Sequence, residues 1–250
     1  MKKKKIALGF VSATASLAAA GVYAGDGNTW TGFNVYGGVG YGNVDSKEQS
    51  LGGNDWEENI ANFSGTHSKS KITGDLGLGY DAKVADKFVV GVFADFNLSN
   101  IKTKSDQAWD NGNYTLSTST KVKDAYSLGA KLGYLLSDND LLYVSGGASR
   151  AKINTNYNQY GDSMDPTNTY LSSNKSKTGA FIGVGLEHKV NQNMSIVADY
   201  RMTNYGSLKS SKNGLTYDGN MNYVTSDTVA QSHKAEVKTD NLSLNLKYTF

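Results

Sequence analysis

The last ten residues, NLSLNLKYTF, constrain the fold more than any other stretch of the chain. Leu242, Leu244, Leu246, Tyr248 and Phe250 share one parity, and Asn241, Ser243, Asn245, Lys247 and Thr249 share the other. A strand sends successive side chains to opposite faces, so this one is apolar on one face and polar on the other. About ten residues is also the length a tilted strand needs to cross a bilayer.

The same alternation recurs seven times upstream. Residues 31–43 place Phe33, Val35, Val39 and Tyr41 on the apolar parity, and residues 71–81 do so with Ile72, Leu76, Leu78 and Tyr80. Residues 88–99, 124–136, 178–190 and 194–204 follow suit, through Val90 to Leu98, Tyr126 to Tyr134, Ala180 to Leu186 and Ile196 to Met202. In the fifth segment, 141–153, Leu142, Val144, Gly146 and Ala148 are the outward choice, with the other parity nearly as good. Connections alternate in length. Residues 82–87, 137–140 and 191–193 are short; 44–70, 101–121, 154–177 and 207–235 each exceed twenty residues. Structureless connections that long argue against an ordinary compact soluble domain.

The other end is a secretory signal. Lys2 to Lys5 precede an apolar run from Ile6 to about Ala20, and Val22-Tyr23-Ala24 is a small-x-small cleavage site. Cleavage is expected between Ala24 and Gly25, with cleavage after Ala20 as the alternative, giving a signal peptide, 1–24, and a mature domain, 25–250. The signal holds four of the 25 Lys+Arg and none of the 23 Asp+Glu, so the mature chain carries 21 against 23, a net of −2. The basic character belongs to the signal, and no clustered basic patch suggests nucleic acid. Without cysteine, no disulfide can form. Low hydrophobic content (38%) with 28 Gly and a single proline, Pro166, would suggest disorder in a soluble chain. In a barrel only the outward face must be apolar.

The segment WTGFNVYGGVGYG resembles the opening strand of the small porin-like, opacity-type outer-membrane barrels. LGAKLGYLL with LLYVSGGAS, and VGLEHKVNQNMSIVADYRMTNYG, resemble later strands of that family, with His188 in place of an aromatic and Asp199 in place of Glu. The resemblance covers most strands and none of the long connections. It implies an all-β fold: an eight-stranded antiparallel up-and-down transmembrane β-barrel with long extracellular loops and short periplasmic turns. It implies integral residence in the cell outer membrane, with both termini periplasmic. It also implies that the terminal strand, through Tyr248 and Phe250, is the signal read by the barrel-assembly machinery. Periplasmic chaperones, outer-membrane lipid and lipopolysaccharide are the partners it implies, together with a host or environmental ligand met through the loops.

The inward parity carries Asp75, Asp95, Lys131, Glu187, Asp199, Arg201 and Lys247. Eight strands enclose a space that side chains fill, so these charges are expected to form a structural ion-pair network, with a gated solute path as the alternative. Of the histidines, His67 lies beside Ser68, the one pair from which a nucleophile and base could be assembled; ligand spacing for a metal is absent. No catalytic residue, cofactor or metal is expected. The first long connection is acidic, with Asp45, Glu48, Asp55, Glu57 and Glu58 against Lys47 and Lys69. The expected function is a structural or interaction role: envelope integrity, adhesion or ligand contact through loops. The alternatives are a narrow channel for small solutes and, further off, an outer-membrane hydrolase or acyltransferase.

Overall fold

A computed structural model describes residues 30–51, 63–109, 114–160, 169–217 and 223–250. The signal segment with its Ala24–Gly25 junction, the acids Asp55, Glu57 and Glu58, and Pro166 lie outside the described residues. Eight strands occur in the order β1 (Gly32–Leu51), β2 (Phe63–Ala85), β3 (Phe88–Trp109), β4 (Tyr114–Leu135), β5 (Asp140–Tyr160), β6 (Thr169–Lys189), β7 (Met194–Tyr217) and β8 (Tyr223–Thr249). Each pairs antiparallel with its sequence neighbour, and β1 pairs with β8 through Asn34↔Thr249 onward, so the hydrogen-bonded ring closes. Closure removes sheet edges at this level. Both described termini, Trp30 and Phe250, stand at the end where the short turns lie; the Phe250 amide donates to the Phe33 carbonyl at 2.9 Å.

Alternation dictates which face each side chain takes. Val39, Ile72, Leu76, Ile182, Leu242 and Leu244 are all more than half exposed on the outside. In β5, Leu142 and Val144 point out while Leu141 and Tyr143 are buried inside, which resolves the parity of that strand. The outer band spans Leu242 to Phe250 on β8, about the length of a tilted crossing. Aromatic side chains crowd its turn-end rim: Phe33 packs on Phe250 at 5.8 Å, Phe250 on Tyr248 at 5.0 Å, and Phe88 on Tyr134 at 5.4 Å. Rings favour such positions because they are apolar with a wettable edge.

The strands are far longer than the sequence indicated. Residues 44–51 and 63–70, assigned above to a loop, form a continuous ladder out to Ser50↔Phe63. The same correction applies to much of 101–121, 154–177 and 207–235, where β3 to β8 run on. The acids Asp45 and Glu48 are therefore strand residues rather than loop residues. Pattern recognition failed there for a physical reason. Beyond the apolar band the outward residues are polar, as Asp45, Lys47 and Gln49 are, while the inward Ser46 and Glu48 are polar too. Both faces then read alike.

The extension is built differently from the ring. Pairing between β2 and β3 stops at Gly74↔Leu98, and pairing between β6 and β7 stops at Ala180↔Asn204. Beyond those points the described residues divide into two four-stranded sheets, β7-β8-β1-β2 and β3-β4-β5-β6, that face each other. Register irregularities fall at the same level, between Asn97 and Asn100, Val122 and Ala125, and Asn204 and Gly206. Bulges bend strands, and here they mark where the ring becomes a sandwich. Gly206 has φ +69, a conformation that favours glycine, and its amide is held by Asn204 Oδ1 at 2.9 Å.

Candidate functional site

The inward side chains form layers along the axis. At the turn end an apolar floor gathers Trp30, Val89, Leu135, Leu141, Tyr143 and Val197. Lys189 lies 4.4 Å over the Trp30 ring, and the indole N–H donates to the Asp138 carbonyl at 3.2 Å.

Above the floor sit two ammonium groups and two carboxylates. The Lys247 Nζ reaches Asp81 at 2.6 Å and both oxygens of Glu187 at 2.7 and 2.9 Å. Lys131 reaches the same two acids at 3.0 and 3.4 Å, and Asn34 donates to Asp81 at 3.1 Å. Charges removed from water persist only when paired and hydrogen-bonded, and this quartet balances two against two.

The next layer centres on Arg201. Its Nη1 donates to Asp95 at 2.7 Å, and its Nε lies 3.7 Å from Asp199. The guanidinium lies 4.5 Å from the Phe181 ring and 5.3 Å from the Phe93 ring. The two rings also lie 6.1 Å from each other, so the guanidinium rests against both rather than between them, a contact that suits a planar, weakly hydrated cation. A repeated unit supports the carboxylates: Tyr36 donates to Asp95 at 3.4 Å, and Tyr143, on the other half of the ring, donates to Asp199 at 2.8 Å. The phenol ring of each lies over a cross-strand glycine, Gly77 or Gly185, where a Cβ would collide with it.

Among the sequence-predicted residues, the fold thus brings Lys131, Glu187 and Lys247 into one cluster and Asp95, Asp199 and Arg201 into another. Asp75 joins neither by an ion pair; Asn97 and Asn241 hold it at 2.7 and 3.4 Å. Tyr248 and Phe250 lie outside, on the aromatic rim. Sequence reasoning missed Asp81, Tyr36 and Tyr143. The signal was there, since Asp81 shares the parity of Asp75 and closes the same stretch.

Over the charges lies a second apolar layer: Val44, Ile101, Val122, Ala125, Ala151, Ile153, Tyr205, Leu208 and Val237. Between the sheets of the extension, Ser46 Oγ meets Thr120 Oγ1 at 3.1 Å, and Thr120 donates to Glu48 at 2.8 Å. Buried His233 packs on the Tyr157 ring at 5.3 Å, and burial lowers its pKa from the ordinary histidine value. His67 shares the parity of Thr73, whose side chain is buried inside the barrel, whereas Ser68 points to the outer face and donates to Asn43 at 2.8 Å. Neighbours on opposite faces of a strand do not make a nucleophile and its base. His188, at a short turn, pairs with Asp140 at 2.8 Å. Hydrogen bonds from Ser137 and then His188 hold the Asp140 carboxyl below its usual range.

Among curated proteins, the chain is 27% identical over 177 residues to the 31 kDa outer-membrane immunogenic proteins of Brucella melitensis and Brucella suis. The match covers 71% of this chain and 66% of each relative, so the chain spans just under two thirds of their length. Among solved structures, the attachment invasion locus protein Ail of Yersinia pestis aligns over 88% of this chain and 99% of its own at 16% identity, TM-score 0.37. OprG of Pseudomonas aeruginosa aligns over 90% and 99% at 14% identity, TM-score 0.49. A family model, the outer membrane protein beta-barrel domain, matches residues 12–250, nearly the whole sequence. With its ring of eight paired strands and apolar exterior, the chain belongs to the outer membrane protein beta-barrel domain family and is an integral β-barrel of the outer membrane.

Proposed function

We propose that this protein is a plugged outer-membrane barrel with a structural and interaction role, presenting its long-strand end to the exterior and both termini to the periplasm. The filled interior carries this reading. Two apolar layers, around Trp30 and around Val44, bracket a network of paired charges, and the space left among them is a cavity of about 100 Å³. Ordered waters can occupy that space among the paired groups, and the two buried apolar layers, rather than its volume, stand against a continuous aqueous path. The Brucella relatives carry the name of outer-membrane immunogenic proteins, in keeping with surface display. Residues 1–24 act as the signal peptide, and the barrel-assembly machinery reads the terminal strand. Among the described residues, His67 and Ser68 take opposite faces of β2, so this pair does not support the hydrolase alternative.

Planar-bilayer recording of the refolded barrel tests the plug. The expected trace shows no steady conductance. A large, stable, ion-selective conductance would instead favour the narrow-channel alternative. Whole-cell labelling of cysteines introduced at the strand extensions and at the short turns tests the orientation.

A further inference from the structure

Around Arg201 the barrel repeats itself. Tyr36, Gly77, Asp95 and Ser127 stand directly opposite one another across β1 to β4, and Tyr143, Gly185, Asp199 and Ser243 do the same across β5 to β8. The strands carrying the two acids also match in sequence, ADFNLSN at 94–100 against ADYRMTN at 198–204.

The next inward row breaks the repeat. On β6 and β7 it pairs Gly183 with Arg201, so Asp199 has a cation on its own strand. On β2 and β3 it pairs Asp75 with Asn97. The first half thus carries a second acid where the other half has glycine, and a neutral amide where the other half has its guanidinium. The quartet below is balanced, two charges against two. This layer is not: Asp75, Asp95 and Asp199 face Arg201 alone, a surplus of two negative charges inside the lumen. Carboxylates held away from bulk water without a cation are costly.

The surplus is aimed at one place. Asp95 Oδ2 takes both Arg201 and Tyr36, while its Oδ1 is buried and has no hydrogen-bond partner among the described residues. Asp95 is 8% exposed as a whole. Asp75, Asp95 and Asn97 line the internal cavity together with Tyr36 and Asn241. The Asn97 and Asn241 amides, which donate to Asp75, would present an oxygen instead after a half-turn of the side-chain amide.

Oxygen donors of this kind select hard cations. Calcium accepts carboxylate, amide and water oxygens in a flexible arrangement, about six to eight of them, and its charge equals the surplus. Among the described residues no three acidic or histidine side chains form a ready-made metal cluster, so the ligand set is two carboxylates completed by amide oxygens and water.

We propose that the first half of the barrel binds one divalent cation of the calcium type between Asp75 and Asp95, where it does for this half what Arg201 does for the other. The inference rests on the plug reading only for the role of the ion, a fixed part of the interior network rather than a permeant one.

The barrel is refolded in detergent with a chelator and without glycolipid, freed of the chelator, and titrated with Ca2+ by calorimetry and by urea unfolding. Unaltered protein should bind one Ca2+ per chain, and its urea midpoint should rise as Ca2+ is added. Asp75→Asn should weaken binding at least about tenfold, as loss of a group that holds a metal does. Asn97→Arg gives the first half its own guanidinium; it should abolish binding and leave a midpoint that no longer responds to Ca2+. Asp45→Asn, on the outer face of β1, is the control and should change neither. Heat-modifiable migration verifies folding, and if one interior variant fails this check the other is read alone. Absence of saturable binding to unaltered protein, or binding that survives the interior variants, would overturn the proposal. So would a midpoint that rises with acid and ignores Ca2+, which would show that protons neutralise the surplus. Conductance plays no part in these measurements, so the plug reading fails or holds on its own recording.

Discussion

Lys247 and Asp81 meet at 2.6 Å inside the barrel, 166 residues apart in sequence. Their strands do not pair with each other: β1 lies between them, and the contact bridges over it inside the barrel. Lys247→Met would leave Asp81 and Glu187 sharing Lys131 alone. Breaking a buried pair from one side typically costs about 3–5 kcal/mol. The urea midpoint in lipid should fall accordingly. Adding Asp81→Asn restores the charge balance, so the double variant should be more stable than the Lys247→Met single variant.

The lipid face is tested by two adjacent residues. Leu244 is 56% exposed to the outside, and Asn245 is 5% exposed, inside. Leu244→Arg puts a cation into hydrocarbon and should destabilise by about 2–4 kcal/mol near the midplane. Asn245→Arg enters a lumen where Asn245 already accompanies Ser243 at 3.0 Å, and its cost depends on space and pairing. A titration series in vesicles compares the two. Equal tolerance of both would contradict the register of β8.

The barrel was legible in the sequence because its membrane stretch has two unlike faces, and Leu242 through Phe250 display them without interruption. The interior charges were legible by the same parity. What stayed hidden was whatever depends on contact across the lumen: that Lys131 and Lys247 share Asp81 and Glu187, or that Arg201 rests against Phe93 and Phe181. The extension stayed hidden for the reason given by Ser46 and Glu48, which face a packed interior yet read as polar as their outward neighbours. The parting of β6 from β7 had one local trace, Gly206, whose positive φ looks in sequence like any other glycine.

The extension has its own pH dependence. His233 is 3% exposed, and burial depresses its pKa in the folded protein. Glu48, the acid that acts on it electrostatically, opposes that shift, and His67 faces the same interior from β2. Because the folded pKa is below the unfolded one, the unfolded chain takes up a proton first as pH falls. Stability from this group is therefore present above the unfolded histidine value, about 6.5, and is lost as pH falls toward the folded one. His233→Phe should flatten that part of the stability profile. Unfolding midpoints from pH 7.5 down to about 4.5 on both proteins give the comparison; identical slopes would show that His233 is already solvated.

Phe250 links architecture to assembly. Its amide closes on Phe33, and its ring packs on Phe33 and Tyr248, at the seam where β8 meets β1. Deleting it removes both the seam contact and the terminal aromatic of the proposed assembly signal. Folded barrel in the outer membrane should fall, most at high expression, while the purified variant refolded in detergent should lose far less. A comparable loss in both settings would assign the effect to the seam rather than to recognition.

Arg201 decides between plug and pore. Arg201→Ala removes the cation from Asp95 and Asp199 and strips the guanidinium from the Phe93 and Phe181 rings. If the network is structural, the urea midpoint should fall by the equivalent of about 3–5 kcal/mol. Conductance should stay absent, because the floor around Trp30 and the layer around Val44 remain in place on either side. If water already reached these groups along a working path, the carboxylates would be solvated and the stability loss small. Ion selectivity would change in its place. Measuring both on one variant separates the readings: steady conductance in the unaltered protein, altered by Arg201→Ala at constant stability, would replace the plug with a channel.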